Sequence, residues 1–511
     1  MPATTDTQAA SERWTRAEAI LLAVLGGVVF LDALDLSLVQ VALPSIGSSL
    51  HLAERQLQWI VSAYVLGYGG FLLFGGRSAD VLGRRRVLVW GLVALIVASA
   101  LGALASDGTL LIVARFAKGV SAAFTAPAAL SILSTSFREG HQRNRALGIY
   151  AAAAASGFIF GLVAGGLLTQ LSWRYTFAVV VPVALLLLLA TVRVVRPDLE
   201  ATDGRRRRLD VGGALSVTGA SLVFVRAIVE APTAGWASLQ TIGSIVLTGL
   251  LLTVFVAIER SVEQPLVRLG ILRSAVLVRA NAGAMLLFGC ATGLNFITTL
   301  YLQDLLGWGP LKTGLFFMFS GLTTAAVGPR AGALITRVGA TPIILAGAVA
   351  TMASSAVFLD VGVSSNYKVI VASRLLAGLG FGLAYPALNI QALSRVRDDE
   401  QGLASGLVGS SFQLGGAIVL AITTAMLLAH TPAHASAAQT VHGFQTAVYV
   451  TAATAALFVL LSFAGLLSRW RSASHACAEI EARQSDTSRP RPLSRLPETT
   501  RSIHADHPQH T

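Results

Sequence analysis

"VARFAKGVSAAFTAPAAL", residues 113–130, returns later in the chain as "ASRLLAGLGFGLAYPALN", residues 372–389. Arg115 aligns with Arg374, Gly119 with Gly378 and Pro127 with Pro386, all at one offset of 259 residues. A weaker echo pairs Gly76 and Gly83 with Gly332 and Gly339 at an offset of 256. An arginine inside an apolar stretch is costly, so its return with the same glycine and proline spacing points to a duplicated unit. Two halves inserted the same way round, with a cavity between them near the bilayer midplane, account for the pattern.

Composition agrees. Of 511 residues 54% are hydrophobic and 13% charged, against about 25% charged in soluble domains. The excess falls in blocks of about 20 residues, each long enough to cross the hydrocarbon core as a helix. Fourteen spans are expected, at about 18–42, 57–76, 87–106, 109–132, 143–168, 174–193, 211–230, 240–258, 278–303, 312–335, 342–361, 369–392, 402–428 and 445–467. The fold class is an all-α polytopic membrane protein. Its expected organisation is an N-terminal tail (1–17), a six-helix bundle (18–193) and a linker with two extra membrane helices (194–277). A second six-helix bundle (278–467) and a disordered cytoplasmic tail (468–511) follow. The first apolar block lacks a small-residue cleavage site and reads as a retained helix.

Alternate loops, beginning with the one after the second span, hold twenty arginines, including Arg84–Arg86 and Arg205–Arg208. The opposite loops hold Arg55, Arg174, Lys312 and Lys368. This bias places the arginine-rich loops and both termini in the cytoplasm. The formal net charge of +12 is therefore spread along membrane edges and does not form a nucleic-acid face. Cys290 in an apolar segment and Cys477 in the tail do not suggest a disulfide framework, and His430, His434 and His442 read as solvated loop residues.

The first span, "VVFLDALDLSLVQVALP" (28–44), carries Asp32 and Asp35, three residues apart and so on neighbouring parts of one helical face. Ionised groups at the bilayer centre cost about 2.5–3.5 kcal/mol on insertion scales, so this face is expected to line a cavity. A carboxylate there can take up and release a proton, attracting a cation when ionised and releasing it when neutral. Arg115 and Lys118 in the fourth span could pair with either aspartate. Arg226 and Glu230, one turn apart in the seventh span, read as a self-satisfied i,i+4 pair.

Several motifs resemble a known family. "GGRSADVLGRRRVL" (75–88) resembles the loop signature of the major facilitator superfamily through Gly76, Asp80, Gly83, Arg84 and Arg85, and "ARFAKG" (114–119) is similar to its fourth-helix motif. "LDLSLVQVALP" (34–44), "LSWRYTFAVVVPVAL" (171–185) and "YLQDLLGWGPLKTGL" (301–315) are similar to its fourteen-helix drug:proton antiporter branch, QacA/EmrB-like. The resemblance covers about residues 15–470. It implies a major facilitator fold, two six-helix bundles plus two inserted central helices. It also implies export of amphipathic, often cationic small molecules in exchange for protons by alternating access, with Asp35, Asp32 and Arg115 in proton coupling. Asp80 and its loop would latch the two halves. The sequence departs from the pattern at Lys118, Ser37 and Gln40. The helix-5 motif, "GFIFGLVAGG" (157–166), keeps Gly157, Gly161, Gly165 and Gly166 but has Leu162 where proline is usual. That departure keeps open an alternative: a facilitator or exporter of a specific metabolite, lipid or siderophore without strict antiport.

Candidate cavity residues are Gln40, Trp59, Tyr64, Tyr68, Lys118, Asn295, Gln303, Tyr385, Asn389 and Gln413. The sequence has no nucleotide-binding loop, metal cluster or nucleophilic triad, so no enzyme activity and no cofactor beyond the proton-motive force are expected. Small-molecule substrates, protons and membrane lipid are the expected partners of a monomer in the plasma membrane.

Overall fold

The computed structural model describes residues 14–137, 141–196, 210–262, 269–362, 367–394, 396, 401–431 and 437–487. Arg138, Arg205–Arg208, Arg268, Arg395, Arg397 and His434 lie outside them, as does the side chain of Asp80.

The first half contains α1 (Arg16–Leu50), α2 (Glu54–Leu82), α3 (Arg84–Ala103), α4 (Gly108–Ser136), α5 (His141–Leu171) and α6, built from Tyr175–Ala178 and Val180–Val194. Two inserted helices follow, α7 (Val211–Ala234) and α8 (Leu239–Ser261). A short 3-10 turn, Leu269–Arg273, leads to the second half. That half holds α9 (Ala275–Leu300, prolonged by a π turn over Tyr301–Leu305), α10 (Pro310–Val338) and α11 (Ala340–Phe358). It closes with α12 (Tyr367–Leu393), α13 (Gln401–His430) and α14 (Ala437–Thr487). No strand occurs among the described residues. Side-chain oxygens start several helices: Thr15 and Glu18 form a capping box on α1, and Asp107, Asp210 and Ser238 cap α4, α7 and α8.

Thirteen of these helices are long and apolar enough to cross a bilayer. The fourteenth expected span is α10, whose 29 residues are also long enough. Lys312, Arg330, Arg337 and a run of small residues dilute it, yet it buries Phe316 and Phe317 against other helices. The tail expectation needs correction: α14 continues through Thr487, beyond the end of the span at 467. Its Ala-, Glu- and Arg-rich continuation, free of proline, favours helix over coil. Residues 464–487 belong to a unit of their own, and 488–511 lie outside the described residues.

The sequence repeat is visible in the packing. A methyl group at Gly119 would meet the backbone carbonyl of Tyr64, and one at Gly378 that of Ser320. These are the α2–α4 and α10–α12 crossings, and Tyr64 and Ser320 are themselves separated by the 256-residue offset of the weaker echo. Gly83 and Gly339 have φ of 97° and 89° and are the single residues linking α2 to α3 and α10 to α11. The left-handed φ explains why both links are glycine.

The halves meet along two seams. On one, α5 meets α10: Gly166 lies against Pro310 and Leu311, Gly314 against the Leu162 carbonyl, and Gly321 against Ile159. Small residues let the backbones approach. Further along α10, positions Gly328 and Gly332 have nothing within 4 Å of where a Cβ would stand. On the other seam, α2 meets α13 at Gly69–Gln413, Leu72–Gly409 and Leu73–Gly406. The inserted pair leans on α2, where Thr218 donates to the Gly70 carbonyl at 2.6 Å. Apolar residues of both halves, among them Leu43, Ile46, Ile297 and Phe316, form one cluster where α1 finishes and α10 begins.

Candidate functional site

The site is built on α1 and α4. Helical spacing places Asp32 and Asp35 on one side of α1, and Arg115, Lys118 and Thr125 on one side of α4. Lys118 and Thr125 are two turns apart and so share a face. All five side chains are buried. Asp35 Oδ2 accepts from Arg115 Nη1 at 3.3 Å, and Asp35 Oδ1 is in direct contact with Lys118 Nζ. Arg115 also donates from Nε to the Ile60 carbonyl at 3.1 Å and stands 4.5 Å from the Tyr64 ring centre. Lys118 lies 4.7 Å from the centre of Phe177. One carboxylate thus holds two cations from the neighbouring helix.

Asp32 is placed differently. Its Oδ2 accepts from the Thr125 hydroxyl at 2.9 Å, and among the described residues it makes no ion pair. The sequence left open which aspartate the cations choose; in the structure both take Asp35. Ser37 takes neither aspartate, since its hydroxyl donates to the carbonyls of Ala33 and Leu34.

The second half repeats the architecture with different chemistry. Arg374 is fully buried on α12, donates to the Asn295 side-chain oxygen at 2.8 Å and faces Phe317 at 5.6 Å. Asn295 stands at the position of Asp35 to within one residue of the repeat offset, and Ala377 at that of Lys118.

The cavity candidates divide. Tyr64, Tyr68 and Trp59 share a cluster with α4, α7 and α13, and the rings of Tyr64 and Tyr68 are 6.2 Å apart. Tyr385 is 42% exposed, stacked on Phe381 at 5.1 Å and beside Phe412 at 4.8 Å. Asn389, half-buried, donates to the Tyr385 carbonyl. Gln40 carries a buried side-chain oxygen without a hydrogen-bond partner among the described residues. Gln303 joins the halves by donating to the Val41 carbonyl at 2.9 Å, and Gln413 is buried at the α2–α13 seam. Sequence reasoning passed over Thr125, Tyr150, Phe177, Phe381 and Phe412. Of these only Thr125 carried a signal, a hydroxyl on the Lys118 face of an apolar helix.

Of the loop motif, Gly76 lies beside Pro127 of α4. Arg84 donates to Thr135 Oγ1 at 2.7 Å and Arg85 to the Val192 carbonyl at 2.7 Å, tying α3 to α4 and α6. The helix-5 glycines pack directly on α1: Gly157 against Phe30, Gly161 against Leu34 and Gly165 against Leu38. Leu162 is fully buried, joining Val41, Phe158 and Phe317 in a small cluster shared by both halves. Arg226 and Glu230 form the expected i,i+4 pair at 3.2 Å. The His430 and His442 rings are 6.2 Å apart.

A sequence model of the Major Facilitator Superfamily matches residues 25–420. The chain belongs to the Major Facilitator Superfamily. This superfamily member is 36% identical to the puromycin resistance protein pur8 of Streptomyces alboniger, over 90% of this chain and 93% of that one. It is 32% identical to the multidrug resistance protein Stp of Mycobacterium tuberculosis, over 81% of this chain and 76% of that one. Its fold is similar to that of the peptide transporter POT, with a TM-score of 0.64 at 16% identity over 88% of this chain and 94% of that one. The protein is a multi-pass membrane transporter with the major facilitator fold, two six-helix bundles plus an inserted pair.

Proposed function

We propose that this transporter exports amphipathic small molecules, antibiotics among them, in exchange for protons, by alternating access between its two halves. The observation that carries the reading is the pair of buried carboxylates on α1, Asp32 and Asp35, set against two buried cations on α4. Carboxylates kept inside a membrane helix in spite of their cost mark proton pathways more often than structure. The names of the resistance proteins similar to this chain support the cargo class. Closure of the halves where α1 finishes and α10 begins, with free space beside Gly328 and Gly332 of α10, fits one stance of such a cycle.

The transporter works in the plasma membrane as a monomer, with both termini and the arginine-rich loops on the cytoplasmic side. Arg84–Arg86 stand there beside anionic lipid headgroups. No cofactor is needed. Inward proton flow supplies about 2.3 kcal/mol per charge per 100 mV, plus the pH gradient.

Leu162 favours a second reading, a facilitator without strict antiport, because the helix-5 motif lacks its proline. Everted vesicles decide. With puromycin as cargo and an imposed inward-acid gradient, accumulation is expected to stop when an ionophore collapses the gradient, and to be lost in the double variant Asp32→Asn, Asp35→Asn. Accumulation unchanged by both treatments would establish the facilitator.

A further inference from the structure

The two aspartates of α1 differ in what surrounds them. Asp35 is 1% exposed, with one oxygen on Arg115 and the other on Lys118. A proton arriving there would bond to one oxygen, cancel the charge that both cations share and leave Arg115 and Lys118 without their buried partner, an expensive state in a low-dielectric interior. Asp32 is 8% exposed and, among the described residues, its hydrogen-bond partner is Thr125.

Thr125 has a second acceptor, the Ala122 carbonyl at 3.3 Å. While Asp32 is ionised, the hydroxyl donates to the carboxylate. When Asp32 is protonated, the acid donates to the hydroxyl oxygen and the hydroxyl turns to Ala122. Both states are hydrogen-bonded, so neither leaves a buried group unsatisfied.

The surroundings suit a cation. Among the described residues, the ionisable groups nearest Asp32 are Asp35 on α1, Tyr64 and Tyr68 on α2 and Tyr150 on α5, with Arg115 and Lys118 held on Asp35. The hydroxyl of Tyr150 donates to the Ala126 carbonyl, next to Thr125. Tyr385 belongs to the second half and interacts with both Tyr68 and Tyr150 of the first. Asp32 therefore has tyrosines of the first half near it, with Tyr385 of the second half beyond them, and their π faces are able to hold an organic cation.

We propose that Asp32, held by Thr125 and with Tyr68 and Tyr150 near it, is the carboxylate for which a cationic cargo and a proton compete, while Asp35, Arg115 and Lys118 form a fixed ion cluster joining α1 to α4. The assignment rests on the proton-exchange reading above. Charge accounts for the exchange. With Asp32 ionised, the four groups sum to zero and the site accepts a cation. A proton from water forms an O–H bond on Asp32, leaves the cluster with one excess positive charge and drives the cargo cation out. Proton and cargo replace each other with no net change of charge in the site.

The test uses the full-length protein in lipid nanodiscs and tetraphenylphosphonium, a permanent cation, as probe. Calorimetric binding between about pH 5 and 8 is expected to strengthen by roughly tenfold per pH unit in the range where one proton competes with one cation, with proton release on binding. Asp32→Asn is expected to bind weakly with no pH dependence. Asp35→Asn, which leaves the cluster one positive charge in excess, is expected to weaken binding at every pH while keeping a pH dependence. Thr125→Val, which leaves the ion cluster untouched, is expected to move the midpoint while retaining the slope. Asp32→Asn that keeps the wild-type pH dependence, Asp35→Asn that alone abolishes it, or a wild type whose binding ignores pH would each overturn the assignment. If vesicle accumulation of puromycin still collapses with the gradient, only the assignment of Asp32 has failed. If accumulation survives the collapse, the exchange reading has failed with it.

Discussion

The α1–α4 contact of the first half and the α9–α12 contact of the second are two versions of one structure. Each has an arginine buried in its fourth helix, beside an aromatic ring and facing a polar residue of its first helix. In the first half the polar residue is Asp35 and a second cation, Lys118, joins it; in the second it is Asn295, with alanine in place of the lysine. The crossings that support them match down to the same glycine, Gly119 or Gly378, pressed on the same backbone carbonyl. Duplication kept the scaffold, and the ionic chemistry resides in one copy.

The sharpest way to break this comparison is to remove the shared carboxylate. Asp35→Ala strands Arg115 and Lys118 in the interior and is expected to cost about 3–5 kcal/mol, read as a large fall in the thermal midpoint in detergent and loss of transport. Asn295→Ala strands only Arg374, and a smaller fall is expected; equal falls would mean that the two copies are not electrostatically distinct. Next, Gly119→Ala and Gly378→Ala each drive a methyl into a carbonyl. Each is expected to cost about 1–3 kcal/mol as overpacking, and similar midpoints would confirm a common scaffold. Asn295→Asp restores a charged partner to Arg374. A charge-assisted hydrogen bond contributes about 1.5–3 kcal/mol, offset by the desolvation of a new carboxylate, so a modest rise of the midpoint is expected. Smallest of all, Arg226→Ala removes an exposed i,i+4 pair of the inserted helix and should shift stability by about 0.2–0.5 kcal/mol, leaving transport unchanged.

Much of this was legible in the sequence because membrane crossing imposes length and apolarity on every span. The duplicated Arg-Gly-Pro spacing gave the parallel halves, and Gly83 and Gly339 proved to be equivalent one-residue links. α10 was counted among the apolar blocks although it is less apolar than the other thirteen spans, since a helix facing another half of the protein need not be as apolar as one facing lipid. The fate of 468–487 was misread because absence of an apolar stripe was taken for absence of a helix. At the site, the titratable residues announced themselves, but their pairing did not. Lys118 and Asp35 are on different helices, and nothing in either segment says that Asp35 takes both cations and Asp32 neither. The partners of Asp32 are ordinary threonine and tyrosine side chains, whose importance lies in where the fold brings them.

The seam between α5 and α10 is main chain against main chain, with Gly166 and Gly314 leaving no side chain in between. A machine that exchanges protons as proposed must not short-circuit its gradient, and two ribbons lying flush would keep such a joint tight. A bulky residue wedged into that joint would let protons seep through, and the cell would register it as slower growth with no drug present, even while the pump still ran.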